Sequence, residues 1–253
     1  MLLALLVSFG TSSAQDLRSP IALPGSINAS LGTAGPVEPG NGIGSATFEQ
    51  GVTVWRRGSV FVVGFVDVTV RADTHGYTWN NTIPYLAGGK VVISGAGGVL
   101  QAVVGMAGDT RQGATTRVRR AALLSYWAGW PRSPVDRQFP GSVWATSGLV
   151  TASEPGNWIT AAHFEQGVSA WRGRGLSLVP FAATTLSMDT EHRAWNNRGF
   201  VDAGLKVSTH VNAASIDFGV AQRVTRAWYS GATAAAPVVF VNLWVGWMPR
   251  VKR

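Results

Sequence analysis

The chain has no cysteine. That excludes a disulfide framework and a thiolate metal site, and it suits an oxidising compartment. Charge is also scarce: Asp, Glu, Lys and Arg make up 13% of the 253 residues, against about 25% in an ordinary soluble domain. Histidine occurs only as His75, His163, His192 and His210. No HxxxH spacing links them, so no metal site and no cofactor are expected. After the N-terminus no apolar run approaches the ~18 residues that a spanning helix needs. The longest, Val60 to Val66, stops at Asp67, which argues against an α-helical membrane protein. Helix-turn-helix, RNP-like and zinc-finger patterns are missing, so the net charge of +8 is not read as a nucleic-acid signal. Its basic residues fall in short runs, at Arg56-Arg57, Arg117 to Arg120, Arg172 to Arg174 and Arg250 to Arg253. Such runs between apolar stretches read as solvated turns.

What the chain does have is a period of two. In FVDAGLKVSTHV, Val201, Ala203, Leu205, Val207, Thr209 and Val211 form one series, and Asp202, Gly204, Lys206, Ser208 and His210 form the other. A strand with one apolar and one wet face has this pattern. The stretch recurs as YLAGGKVVIS, where Ala87, Gly88, Lys90 and Val91 match Ala203, Gly204, Lys206 and Val207. Further matches keep a constant offset: EPGN at Glu38 and Glu154, FEQGV at Phe48 and Phe164, WNN at Trp79 and Trp195. The chain therefore reads as two tandem copies, residues 24–130 and 140–253, joined by a linker turn at 131–139. Before them, MLLALLVSFGTSSA is an apolar run closed by small residues, expected to be a signal peptide over 1–14. A leader over 15–23 follows it.

Each copy holds six strand-like segments of about 12 to 15 residues, separated by turn signals such as RGRG and HVNAA. Soluble strands average about 5–6 residues, whereas a transmembrane strand needs about 9–11. The expected fold is all-β: an antiparallel transmembrane β-barrel of about 12 strands built from the two six-strand repeats. Short turns RRGS, SGAGG, RGRG and HVNAA fall at one end, and longer connections such as ADTHGYTWNN at the other, as in such barrels. Tryptophans gather at segment ends. Trp55, Trp79, Trp127, Trp130, Trp171, Trp195, Trp244 and Trp247 are expected to form interfacial girdles, with rings in apolar contact and N–H groups wet.

By this pattern the chain resembles Gram-negative outer-membrane β-barrel proteins. The WNN and terminal WxGW elements are similar to barrels of bacterial surface-polysaccharide systems. The resemblance implies residence in the bacterial outer membrane, with membrane lipid and the barrel-assembly machinery as partners. Such proteins often end on an aromatic residue; here Trp247 is followed by MPRVKR.

The repeated charges carry the functional expectation. Glu49 and Glu165 match, as do Lys90 and Lys206. Each alternates with apolar neighbours and is expected to line the lumen together with Asp67, Asp202, Asp217 and Arg223. A Lys or Arg on the lipid face at mid-depth would cost about 2–4 kcal/mol. Two readings follow: a narrow channel or transport component for small or anionic solutes, saccharides among them, or a closed structural or surface-receptor barrel acting through its outer loops. An outer-membrane hydrolase would rest on Ser208 and His210 alone, same-face neighbours about 6–7 Å apart. No nucleophile is otherwise identified, and the chain is not expected to be an enzyme.

Overall fold

The computed structural model describes residues 22–78, 80–95, 97–111, 117–130, 139–149, 156–211 and 213–248. The signal segment, nearly all of the leader, Trp79 and all but the last residue of the linker turn lie outside the described residues. The strands are β1 (Gly25–Thr33), β2 (Gly42–Arg57), β3 (Val60–Asp73), β4 (Thr82–Gly95), β5 (Gly98–Arg111), β6 (Arg117–Trp130), β7 (Gly141–Leu149), β8 (Ile159–Gly167), β9 (Trp171–Gly173), β10 (Leu176–Asp189), β11 (Arg198–Val211), β12 (Ala214–Ala227) and β13 (Thr233–Trp247). Apart from β8 and β9, each pairs antiparallel with its neighbours in chain order, and β1 closes on β13 with Gly25 opposite Trp247. β8 and β9 both pair with β10 and are two pieces of one stave, so the barrel has twelve staves. Closure leaves no unpaired edge, a requirement of any sheet placed in lipid.

The alternation read from β11 is the alternation of the wall. Val201, Leu205 and Val207 are exposed, while Asp202, Lys206 and Ser208 are buried. Apolar side chains stand out from the barrel all round, among them Leu31, Val54, Val104, Leu124, Phe164 and Phe218. A continuous apolar outer belt over a polar interior suits a barrel whose surroundings are hydrocarbon.

Two local features go beyond the turn signals of the sequence. TAAAP has the small residues and proline of a turn, yet it belongs to β13 and pairs with β12 out to Arg226 opposite Thr233. The eighth stave breaks at Val168–Ala170, opposite Pro180, which accepts from Val168 N–H but has no N–H to return. Two glycines of the repeated stretch let staves approach closely. A Cβ at Gly88 would lie 2.2 Å from the Val104 carbonyl oxygen, and one at Gly204 would lie 2.1 Å from that of Val220.

Twelve staves enclose a wider bore than the eight that side chains just fill. Two apolar clusters occupy part of it: Val63, Phe65, Val103 and Leu123 in one half, and Val179, Phe181, Ala183, Ala221 and Val238 in the other.

Candidate functional site

The inward charges meet in pairs. Lys90 Nζ lies 2.7 Å from Glu49 Oε2, and Lys206 Nζ lies 2.7 Å from Glu165 Oε1. In both halves the lysine reaches across one stave, β3 or β10, over a phenylalanine ring: Lys90 is 4.9 Å from the Phe65 centroid and Lys206 is 5.7 Å from that of Phe181. Each long stem spans the lateral step of about 10 Å between alternate strands, and the ring adds a cation–π contact. Lys206 has a second carboxylate, Asp217, at 3.0 Å. Arg223 grips Asp202 with two bonds of 2.8 and 2.7 Å and lies over Phe200. The eight residues expected in the lumen thus sit on the inner series, Asp67 opposite Glu49 among them. The structure adds Arg71, which feels the charges of Asp109 and Asp67. Counting in twos from Asp67 along β3 would have found it.

In the lysine pairs the cation is the deeper partner. The Lys90 and Lys206 side chains are 6% and 9% exposed, whereas Glu49, Glu165 and Asp217 are 20%, 20% and 25% exposed. In the Arg223–Asp202 pair the order is reversed, at 17% and 11%.

At the end with the longer connections, two amide networks stiffen the rim. Asp73 accepts from the side-chain amides of Asn41, Asn80 and Asn81 and from Tyr77 N–H. Asp189 accepts from Asn157, Asn196, Asn197 and Arg193 N–H in the same way. Asp73 is the last residue of β3, beyond the lipid-crossing stretch. Burial raises its pKa, but the donors of Asn80, Asn41 and Asn81 outweigh that and hold it at about 2. Glu38 joins the first network through Asn41 and Asn80. It belongs to the β1–β2 connection, which folds into the mouth as a short 3-10 turn, Gly35–Val37. Gly35 has φ +78, and a Cβ there would lie 3.1 Å from Arg223 Cδ and 3.2 Å from Val238 Cγ1. The turn is therefore seated on the Arg223–Asp202 pair.

The tryptophans divide. Trp55 and Trp171 are exposed on the outward series near the short turns. Trp130 stacks near Phe164 and donates to Gln166, and Trp247 does the same with Phe48 and Gln50. Each of these glutamines also donates to a proline carbonyl, Pro140 or Pro24, so a polar side chain on the outer wall is satisfied. Trp127 and Trp244 are a correction: both turn inward. Trp127 packs on the Val63–Leu123 cluster, and Trp244 lies over the inward Gly246. Trp195 stands in the β10–β11 connection under the Arg193 guanidinium, not on a strand. At the loop end the belt is made by Trp158 and Trp228, which donate to Ser147 and the Ser187 carbonyl. Trp158, just before β8, is absent from the girdle expected from sequence. Apolar wall, outward tryptophans near both ends and inward paired charges are the features of a barrel that spans a membrane. The chain is a closed β-barrel of the outer-membrane kind.

Ser208 and His210 share the inner face of β11 but make no hydrogen bond with each other; Ser208 faces Asp217 across the ladder and His210 faces Ser215. Among the described residues no group of three His, Asp or Glu is placed to hold a metal ion.

No family model and no curated protein matches the chain. Solved outer-membrane barrels do, at low identity. The beta domain of the Bordetella autotransporter BrkA is 13% identical with TM-score 0.40, covering 89% of this chain and 99% of that one. The outer membrane channel DcaP of Acinetobacter baumannii is 9% identical with TM-score 0.39, over 90% and 97% of the two chains. OmpT of Vibrio cholerae without its loop L8, an outer membrane protein, is 8% identical with TM-score 0.36, over 90% and 99%.

Proposed function

We propose that this barrel is closed to solutes and serves as a structural or receptor element of the outer membrane, acting through its loop end and catalysing no reaction. The observation that carries the reading is the burial of Lys90 and Lys206, each bonded along the inner wall, over one intervening stave, to a glutamate of a non-adjacent stave. A wide conduit would leave such ammonium groups in water, where an ion pair is worth little. Here they are desolvated and held in place from two sides. Passage of a saccharide would require parting these pairs and the two apolar clusters beside them. Passage of small anions has less support still, because in the lysine pairs the partner with the more open side is the carboxylate, which repels anions. Ser208 lacks the bonded base that a hydrolase nucleophile needs. Insertion by the barrel-assembly machinery belongs to the same reading, with β1 and β13 as the closing seam.

Planar-bilayer recording tests it. The folded chain should add no stepwise conductance, whereas steady wild-type steps, above all anion-selective ones, would overturn the closed reading.

A further inference from the structure

Every carboxylate on the described strands lies on the inward series, from Glu49 and Asp67 to Asp202 and Asp217. The strand charges on the outward series, among the described residues, are arginines. Arg57 ends β2 beside a short turn, while Arg120 and Arg226 stand toward the loop end. Arg120 is opposite Met106, and the exposed Val118 lies two residues nearer the rim, so the arginine starts from within the apolar belt. Arg226 has exposed Val224 below it and Trp228 above, with Gly199 and Thr233 across the ladders. Neither arginine has a carboxylate partner among the described residues. A guanidinium leaving an apolar wall extends along that wall to the headgroup level and seeks a bidentate anion there. Trp228 marks that level, with its indole N–H on the Ser187 carbonyl and its ring over Gly199.

We propose that Arg120 and Arg226 are two separate binding sites for the phosphate groups of a lipid in the leaflet at the loop end, a phosphorylated glycolipid. β7, the β8–β9 stave, β10 and β11 lie between them, so each arginine recruits its own lipid. The acyl chains run down the outward Val118, Ala122 and Leu124 face at one site and the Val224, Val220 and Phe218 face at the other. The occupant is amphipathic: phosphate for the guanidinium, hydrocarbon for the belt.

The test uses the full chain folded in a neutral detergent, with bisphosphorylated lipid A as probe and native mass spectrometry as readout. Wild type should carry up to two lipid A molecules. Arg120→Gln and Arg226→Gln should each weaken one site about fivefold, the usual effect of one basic residue at a membrane surface. Arg120→Lys and Arg226→Lys should retain most binding, and salt should weaken it. Heat-modifiable mobility on a gel confirms that each variant is folded; if a Gln variant does not fold, the Lys variants and the salt series decide. Unchanged occupancy in the double Gln variant, equal binding of dephosphorylated lipid A, or displacement by inorganic phosphate alone would each overturn the proposal. Lipid binding reads the outer wall and conductance reads the bore, so this inference and the closed-lumen reading fail separately.

Discussion

Replacing Lys206 with Met keeps the stem against Phe181 and removes the charge. Glu165 and Asp217, both bonded to Nζ at 2.7 and 3.0 Å, are then left facing each other. Two oxygens held by one nitrogen are at most about 6 Å apart, and at an effective dielectric of about 20 their repulsion is about 3 kcal/mol. The direct rule for breaking a buried pair gives about 3–5 kcal/mol. Since both carboxylates keep a wet side, the lower end applies, and we expect a loss of about 3 kcal/mol. Glu165→Gln with Lys206→Met should recover only part of it, because Asp217 stays unpaired. Adding Asp217→Asn should recover most. Urea unfolding in phosphatidylcholine vesicles, followed by tryptophan fluorescence, measures this. With a slope of about 1–3 kcal/mol per molar urea, the single variant should unfold roughly 1–3 M earlier than wild type. Equal midpoints for the single and triple variants would refute the reasoning, since independent carboxylates would mean a hydrated bore.

Two further outcomes are expected. Single cysteines at Val201, Leu205, Phe218 and Val220 should report lipid and those at Asp202, Lys206, Asp217 and Gly219 should not, and brominated lipid should quench Trp130 and Trp171 more than Trp127 and Trp244; a one-residue slip would exchange the cysteine sets. Asp73, with a folded pKa near 2 against about 3.9 unfolded, stabilises the fold fully above the unfolded value and loses that contribution as pH falls toward 2; Asp73→Asn should flatten the dependence of the unfolding midpoint between about pH 4 and 2, and an unchanged slope would rule the network out as its source.

Strand direction and facing were legible because a period of two survives in nearly every segment. The same period exposes the error in the aromatic assignment. Trp127 and Trp130 are three residues apart, as are Trp244 and Trp247, and an odd separation sends one of each inward. Girdle placement from segment ends alone misses this. The break at Val168–Ala170 was harder: its counterpart in the first half, at Thr53–Trp55, is only a register shift within a continuous strand, and Pro180, which faces the break where the first half has Gly64, lies on the next stave. The pairing of Lys206 with Glu165 follows from counting staves. Its bond to Asp217 does not, because Asp217 stands opposite Ser208 rather than Lys206 and the ammonium reaches it diagonally on β12. The inward fold of the β1–β2 connection has no signal in composition.

That connection gives the Arg223–Asp202 pair its role. At the matching positions in the first half stand Ala107 and Leu86, so the pair is not part of the shared pattern. Glu165–Lys206 has a counterpart in Glu49–Lys90 and can be understood as filling and fixing the bore. Arg223 instead supports a single turn: Gly35 rests on its methylene stem and on Val238, at a spacing that no side chain on Gly35 could keep. Its guanidinium is held flat by Asp202 from one side and Phe200 from another, so the support is rigid. Glu38, three residues on, ties the same turn to Asn41 and Asn80 of the Asp73 network. The turn is thus fixed at both ends, one end in each half of the barrel, and it stands over the bore rather than beside it. A segment held this way adds a second barrier above the lysine layer, and it presents a fixed surface to anything that meets the loop end.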